Sequence, residues 1–474
     1  MTRLTLCLIA RNEEAFLPAC LESVRGVVDE IVLVDTGSTD RTLEIARSFG
    51  AIVLEEPWAD DFAHPRNSAF ARATGDWVLQ LDADERLSPE AGKRLKRTLE
   101  RHPAFDCALL PLHNATALDA DSADVVSGAA RLGVPAWLPR LLRRSAELRY
   151  EGVIHESVLE SLARRGMKIT KLPGVDLVHL GAVPQLRRAK GKSDRNLTLL
   201  RKRCELEPRS VLPFGYLALE LVQGGRVAEA LPVIEAGWPL VTTQPTYRSS
   251  LRLAVARGLT QLRGDDSEGL LNTVEVVERH EGSHPDLEFL RGCAQELRGY
   301  HAKTDAEARA SFTDAAGTYR RCVEQRWPAV ADVFIQGGTG WSAWSRLGTM
   351  HLILDEFERS AQAFEAALTC APGHLDARLG LIEVQLGQGR PGLALRAVEP
   401  LLQDTPDAWA LAAAAALMLC APGDARLFYS QALSRGGAPA LLARHRHVLL
   451  ESLRRALAPV ASLTPPGAPA TAPG

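Results

Sequence analysis

The chain has 474 residues, 46% hydrophobic and 24% charged, with a formal net charge of −3. That is room for two or three domains with ample core, and the charge balance argues against an extended nucleic-acid or membrane footprint. Eight scattered cysteines without a C-x-x-C pair argue against a zinc site or disulfide framework, and for a reducing cytoplasm. The apolar run at the start is too short for a signal peptide, and no stretch reaches about 18 consecutive apolar residues, so no transmembrane segment is expected.

Residues 1–85 alternate strand and helix signals. Leu4–Ile9 reads as a short buried strand, and 14–24 as an amphipathic helix with Phe16, Leu17, Leu21 and Val24 on one side. Ile31–Val34 is a second strand, and Asp35-Thr-Gly-Ser-Thr-Asp40 turns into a helix over 41–49, with Ser38, Thr39 or Asp40 as N-cap. A third strand (51–54), a third helix (65–73) and a fourth strand (77–81) follow. This rhythm predicts a parallel, doubly wound sheet, whose chemistry lies on the loops after the strands. The unusual residues are there: Arg11 and Asn12, Asp35 to Asp40, and Asp82 to Glu85.

Trp77-Val-Leu-Gln-Leu-Asp-Ala-Asp-Glu85 is the central stretch. In an extended segment residues i and i+2 face the same side, so Asp82 and Asp84 can converge on one spot beyond the strand. Paired oxygens there suit a hard divalent cation carrying phosphates. Leu-Val-Asp-Thr-Gly-Ser also resembles the surroundings of an aspartic-protease carboxylate. That chemistry needs two such aspartates in a β-rich fold, and here one copy sits between a strand and a helix. A haloacid-dehalogenase phosphatase expects small or hydroxyl residues after the second acid, where Glu85-Arg86 stand. A nucleotidyltransferase wants a glycine-rich first loop, which Arg11-Asn12-Glu13 lacks.

Seven pieces in order carry a family resemblance: Ala10-Arg-Asn-Glu13, Val34 to Asp40, Trp58 to Asn67, Leu81 to Glu85, Pro139 to Arg143, Tyr150 to Glu156 and Val178 to Gly181. With them the first ~200 residues resemble a family 2 glycosyltransferase of GT-A fold, an α/β, Rossmann-like, mostly parallel nucleotide-diphospho-sugar transferase. The branch is that of the sublancin-type S-glycosyltransferases and relatives with tetratricopeptide tails. His64-Pro65 stand where small residues are more usual. The resemblance implies that Asp35 accepts a hydrogen bond from the nucleotide base in a pocket lined by Ala10, Arg11, Asn12 and Glu13, beside the loop with Gly37, Ser38 and Asp40. It implies Arg66, Asn67, Ala83 and Arg140 among the nucleotide-sugar-binding residues, Asp82 on the ribose side, and Asp84 with Asp82 holding Mn²⁺ or Mg²⁺. His179 would be a further metal ligand or diphosphate contact. Asp40 and Ser38 also suit helix capping, Asn67 backbone satisfaction, and His179 the core.

Residues 87–101 read as a basic amphipathic helix, 105–112 as a strand and 113–133 as a polar variable loop. In 136–156, four arginines precede His155-Glu156, which the family pattern puts on the acceptor side. An inverting transfer needs a base there for the acceptor's proton, and Glu156 is the first candidate, with His155 the second. Residues 185–210 read as a basic linker helix, solvated on one face, with a flap over the diphosphate as the rival reading.

From 211 to 460 the chain is helical and repetitive. With Trp341 as position 1, Trp344, Leu347, Gly348, Phe364, Ala367 and Pro372 occupy tetratricopeptide signature positions. The next unit starts at Leu375, an earlier one at Val211, and a last one contains Ala425, Tyr429 and Ala432; 240–340 lacks clean register. Residues 461–474 read as a disordered tail. The domains expected are therefore a GT-A domain over 1–184, the linker helix, an all-α tetratricopeptide-like domain and the tail. The function expected is a cytoplasmic, metal-dependent, inverting transfer of sugar from a UDP-sugar to a protein or peptide bound by the repeats, which could also form a homodimer. The alternatives are a polysaccharide or lipid-linked acceptor, or an inactive binding scaffold.

Overall fold

In the computed structural model, residues 2–183, 192–243, 250–327 and 333–435 are described. They divide into two compact units, Met1–Pro213 and a second from Phe214 onward.

The first unit opens as the alternation requires: β1 (Leu4–Ala10), α1 (Leu17–Ser23), β2 (Glu30–Asp35), α2 (Thr42–Ser48), β3 (Ile52–Glu55), α3 (Ala63–Arg72) and β4 (Trp77–Gln80). These four strands pair in parallel in the order β3-β2-β1-β4. A parallel sheet is covered on both faces, so its strands are apolar at successive positions. In β1, Leu4, Leu6 and Leu8 pack on one face with α1 residues Leu17 and Leu21. Cys7 packs on the other with Val32, Val34, Val78 and Phe70 of α3.

Beyond β4 the sheet changes direction. After β5 (Glu85–Leu87), α4 (Ala91–Glu100) and β6 (Cys107–Ala115) comes α5 (Ser122–Ser127), capped by the Asp121 side chain and closed by left-handed Gly128. β7 (Arg131–Arg143) lies antiparallel to β4 and β6. The expected loop over 113–133 is thus the end of β6, α5 and the start of β7. After α6 (Leu159–Arg164), β8 (Ile169–Lys171) joins β6, and β9 (Leu177–His179) lies between β6 and β5.

The basic helix α7 (Lys192–Leu206) belongs to this unit. One of its faces is exposed, with Arg195 and Arg201, and on the other Leu197, Leu199, Leu200 and Arg203 are buried. The cations Arg187, Arg188 and Lys190 lie outside the described residues, as does the tail.

The second unit is helical throughout its described residues. Trp341–Ile353 and Phe357–Cys370 form one antiparallel pair, and Leu375–Gly387 and Pro391–Val398 the next, as the repeat register requires. Phe364 fits between two glycines: a Cβ at Gly348 would lie 2.7 Å from its ring, and one at Gly380 closer still. The stretch without clean register is made of helices Leu251–Arg263, Ser267–Glu281, Pro285–His301 and Asp305–Glu324. No helix among the described residues is long and apolar enough to cross a membrane.

Candidate functional site

The C-terminal ends of β1, β2 and β4 open into a cleft of about 750 Å³, within the range of small-molecule sites. β1 and β2 are in register to their last pair, Ala10 and Asp35, and Leu81 N–H reaches Cys7 across from β4. The three loops therefore start at one level.

The first two loops are stitched together. Asn12 takes a left-handed conformation (φ 56°); its N–H donates to Ser38 Oγ at 2.9 Å, and its Oδ1 accepts from Thr39 N–H at 2.8 Å. Buried Asp35 accepts from the N–H groups of Gly37 and Ser38, both at 2.9 Å, and from the Ser38 hydroxyl. A carboxylate offers about four acceptor positions, so one remains. Asp40 caps α2 through Thr42 N–H (3.0 Å) and accepts from Glu14 N–H (3.1 Å). Burial pushes its pKa up and these bonds outweigh it, leaving it lowered.

Five charged groups meet beyond β4. Arg66 of α3 donates to Asp82 Oδ1 at 2.8 Å and to Glu156 Oε1 at 2.5 Å. Arg140 of β7 donates to Asp82 Oδ2 at 2.9 Å and to buried Glu85. Burial works against the charge on Asp82, but the two guanidiniums outweigh it and hold its carboxyl well below the usual carboxylate range. Glu85 goes the other way: burial, reinforced by nearby Asp82, overcomes the attraction of Arg140 and pushes it up to about 7.

Asp84 stands apart from that network. Its Oδ1 lies 3.7 Å from His179 Nε2, close enough for one cation about 2.1 Å from each to bridge. His179 Nδ1 is 2.7 Å from Asn114 Oδ1, which fixes the tautomer that presents Nε2 to a metal. Burial lowers the His179 pKa, and the Asp84 carboxylate outweighs it and raises it. Gly181 keeps the space between them open: a Cβ there would lie 2.6 Å from His179 Nε2 and closer still to Asp84 Oδ2. The pair fits a hard divalent ion completed by phosphate and water. Among the described residues no group of three or more His, Cys, Asp or Glu side chains could hold a metal. Both Asp82 oxygens are already engaged by arginines.

Residues 5–119 match the family model for Glycosyl transferase family 2, and 352–418 that for a tetratricopeptide repeat. The chain carries a family 2 glycosyltransferase domain, followed by a tetratricopeptide-repeat region. A TPR repeat-containing protein of Synechococcus elongatus is 33% identical over 283 residues, 58% of this chain and 66% of that one. The SPbeta prophage-derived glycosyltransferase SunS of Bacillus subtilis is 26% identical over 212 residues, 44% of this chain and 46% of SunS. The chain thus spans just under two thirds of the first relative and about half of the second. Among solved structures, S. aureus TarS 1–349 in complex with UDP-GlcNAc is 15% identical with a TM-score of 0.34, covering 71% of this chain and 97% of that one.

In the glycosyltransferase domain the cleft gathers Ala10, Arg11, Asn12, Glu13, Arg66, Asp82, Ala83, Asp84, Arg140, His155, Glu156 and His179. Asp35, Gly37, Ser38 and Asp40 support its loops from behind. Asn67 is a clamp: its side chain donates to Tyr150 C=O at 3.0 Å and accepts from Tyr150 N–H at 2.8 Å, and it does not line the cleft. Sequence reasoning passed over Glu85, although it directly follows the acid pair, and Asn114, which no motif marks. Trp58, Phe62, Arg195 and Asn196 also line the cleft. Trp58 and Phe62 lie inside a quoted motif, and their apolar spacing within an acidic segment was the available signal.

Proposed function

We propose that this domain transfers a sugar from a nucleotide-diphospho-sugar, most simply a UDP-sugar, to a protein or peptide acceptor, with inversion. The carrying observation is that Asp84, His179 and Glu156 line one cleft, with Glu156 tied through Arg66 to Asp82 between the two functions. Asp84 and His179 would hold Mn²⁺ or Mg²⁺, which when bound neutralises the leaving diphosphate. Arg11, Asn12 and Thr36 line the end of the cleft assigned to the nucleotide, and the last acceptor position of Asp35 suits a base N–H. Glu156, side chain 12% exposed, takes the acceptor's proton, oriented by Arg66. Repeat arrays present concave surfaces to peptides, which supports a protein acceptor. The eight cysteines, all unpaired, suit a reducing cytoplasm.

The test is turnover of a panel of nucleotide sugars with Mn²⁺, wild type against Asp84→Ala, with intact-mass detection of glycosylated proteins in a lysate. Wild type should turn over one donor, add a hexose-sized mass to protein, and lose activity with the substitution. Turnover by neither protein favours a binding scaffold, and equal turnover by both refutes the metal role.

A further inference from the structure

We infer that Arg203, on helix α7, is a positioning residue for the loop that carries Glu156, so that α7 is a working wall of the active site. This rests on the reading of Glu156 given above. Residues 152–156 form a loop closed by reciprocal backbone bonds between Glu151 and Ser157, both 3.0 Å. Two of its residues are left-handed, Gly152 (φ 94°) and His155 (φ 50°). A non-glycine residue in that region persists only when its surroundings hold it.

The holding groups are visible one carbonyl at a time. Val153 C=O accepts from Phe62 N–H at 2.9 Å. Ile154 C=O accepts from Arg203 Nη1 at 2.7 Å, and His155 C=O from the same nitrogen at 3.3 Å. Glu156, next along, is tied to Arg66. Arg203 is itself aimed: its Nε donates to Glu207 Oε1 at 3.0 Å, one turn on, which leaves Nη1 for the loop. It reaches that place because residue 152 is glycine, whose Cβ would otherwise lie 2.6 Å from Nη1. Arg203 is only 2% exposed, and burying a guanidinium is costly unless it is paired. A leucine would pack a linker helix as well. Here the buried charge terminates two carbonyls beside the proposed base. The same helix brings Arg195 to the cleft, 5.5 Å from the Phe62 ring centroid.

The experiment uses the full chain and water as acceptor: UDP release from UDP-glucose and UDP-N-acetylglucosamine with Mn²⁺, UDP affinity by calorimetry, and amide exchange at Glu151 and Ser157. Arg203→Met should lower kcat about 10- to 100-fold, the cost of a base displaced by an ångström or so, and leave UDP affinity unchanged. It should also speed exchange at both amides. Thr198→Ala, on the exposed face of α7, should change none of these. Arg203→Lys, which keeps stem and charge but loses the fork, should show a smaller fall of the same kind and serves if the methionine variant does not fold. A kcat equal to wild type, or equal losses of kcat and UDP affinity, overturns the inference. Unchanged exchange overturns the pinning on its own, whereas a wild type that turns over no donor while exchange still responds overturns only the functional reading.

Discussion

Gly181→Ala gives the sharpest test of the metal pair. The backbone at 181 is not left-handed, so alanine brings no torsional penalty and the effect is steric. Its Cβ would stand 2.6 Å from His179 Nε2. Ordinary contact is about 3.5 Å, so something must move by roughly 0.9 Å. The His179 ring is held by Asn114, so the Asp84 carboxylate is the group that must swing away, and with it the pair's ligand geometry. Metal sites tolerate about 0.2 Å in their ligand distances. Mn²⁺ affinity in the presence of UDP should fall about 10- to 100-fold, or about 1.4–2.7 kcal/mol. Calorimetric titration of Mn²⁺ into the UDP-saturated protein reads this directly. An isotherm superimposable on wild type would refute the assignment of Asp84 and His179 as ligands.

Asn67→Ala removes both bonds to the Tyr150 backbone and should destabilise the first unit by about 2 kcal/mol in urea titration, a structural loss. Gly348→Ala and Gly380→Ala each press a methyl group into the Phe364 ring and should cost the repeats about 1–3 kcal/mol while leaving Mn²⁺ binding alone. Asp286, buried and accepting from Phe334 and Ile335 N–H, is raised by burial to about 6. A raised carboxyl pKa means the folded state holds the proton more tightly. Its contribution is complete below about pH 4 and is lost as pH rises to about 6, at most about 3 kcal/mol. Asp286→Asn should remove that slope from the melting temperature against pH over this window; an unchanged slope would show that another group sets it.

The parallel half of the sheet was legible because two-sided burial writes continuous apolar runs, as in Leu4 to Ala10 and Trp77 to Leu81. β7 was not: Pro135 and Pro139 interrupt it, and its register shifts against β6 between Ala108 and Leu109. Three-residue β5 and β8 are too short for any periodicity. Asp82 and Asp84 were readable as cleft residues because motif and strand end coincide, whereas Arg66, on a helix, and Glu156, in a loop, rested on motif alone. Whether an acid in such a motif faces the cleft or ties a loop is a matter of tertiary contacts: Asp40 and Asp35 both tie their loops, and Asp35 keeps one acceptor position besides. Arg203 was hidden for a different reason. Among the cations of α7 it is set apart by burial beside Gly152, a partner distant in the chain.

Arg66 has a hand on each side of the cleft, one on Asp82 and the other on Glu156. If Glu156 serves the recipient and Asp82 the nucleotide, as proposed above, a change that tunes the domain through Glu156 would also alter the charge balance at Asp82. The two specificities would then not drift separately, and swapping one in the laboratory would require compensating the other at this single guanidinium.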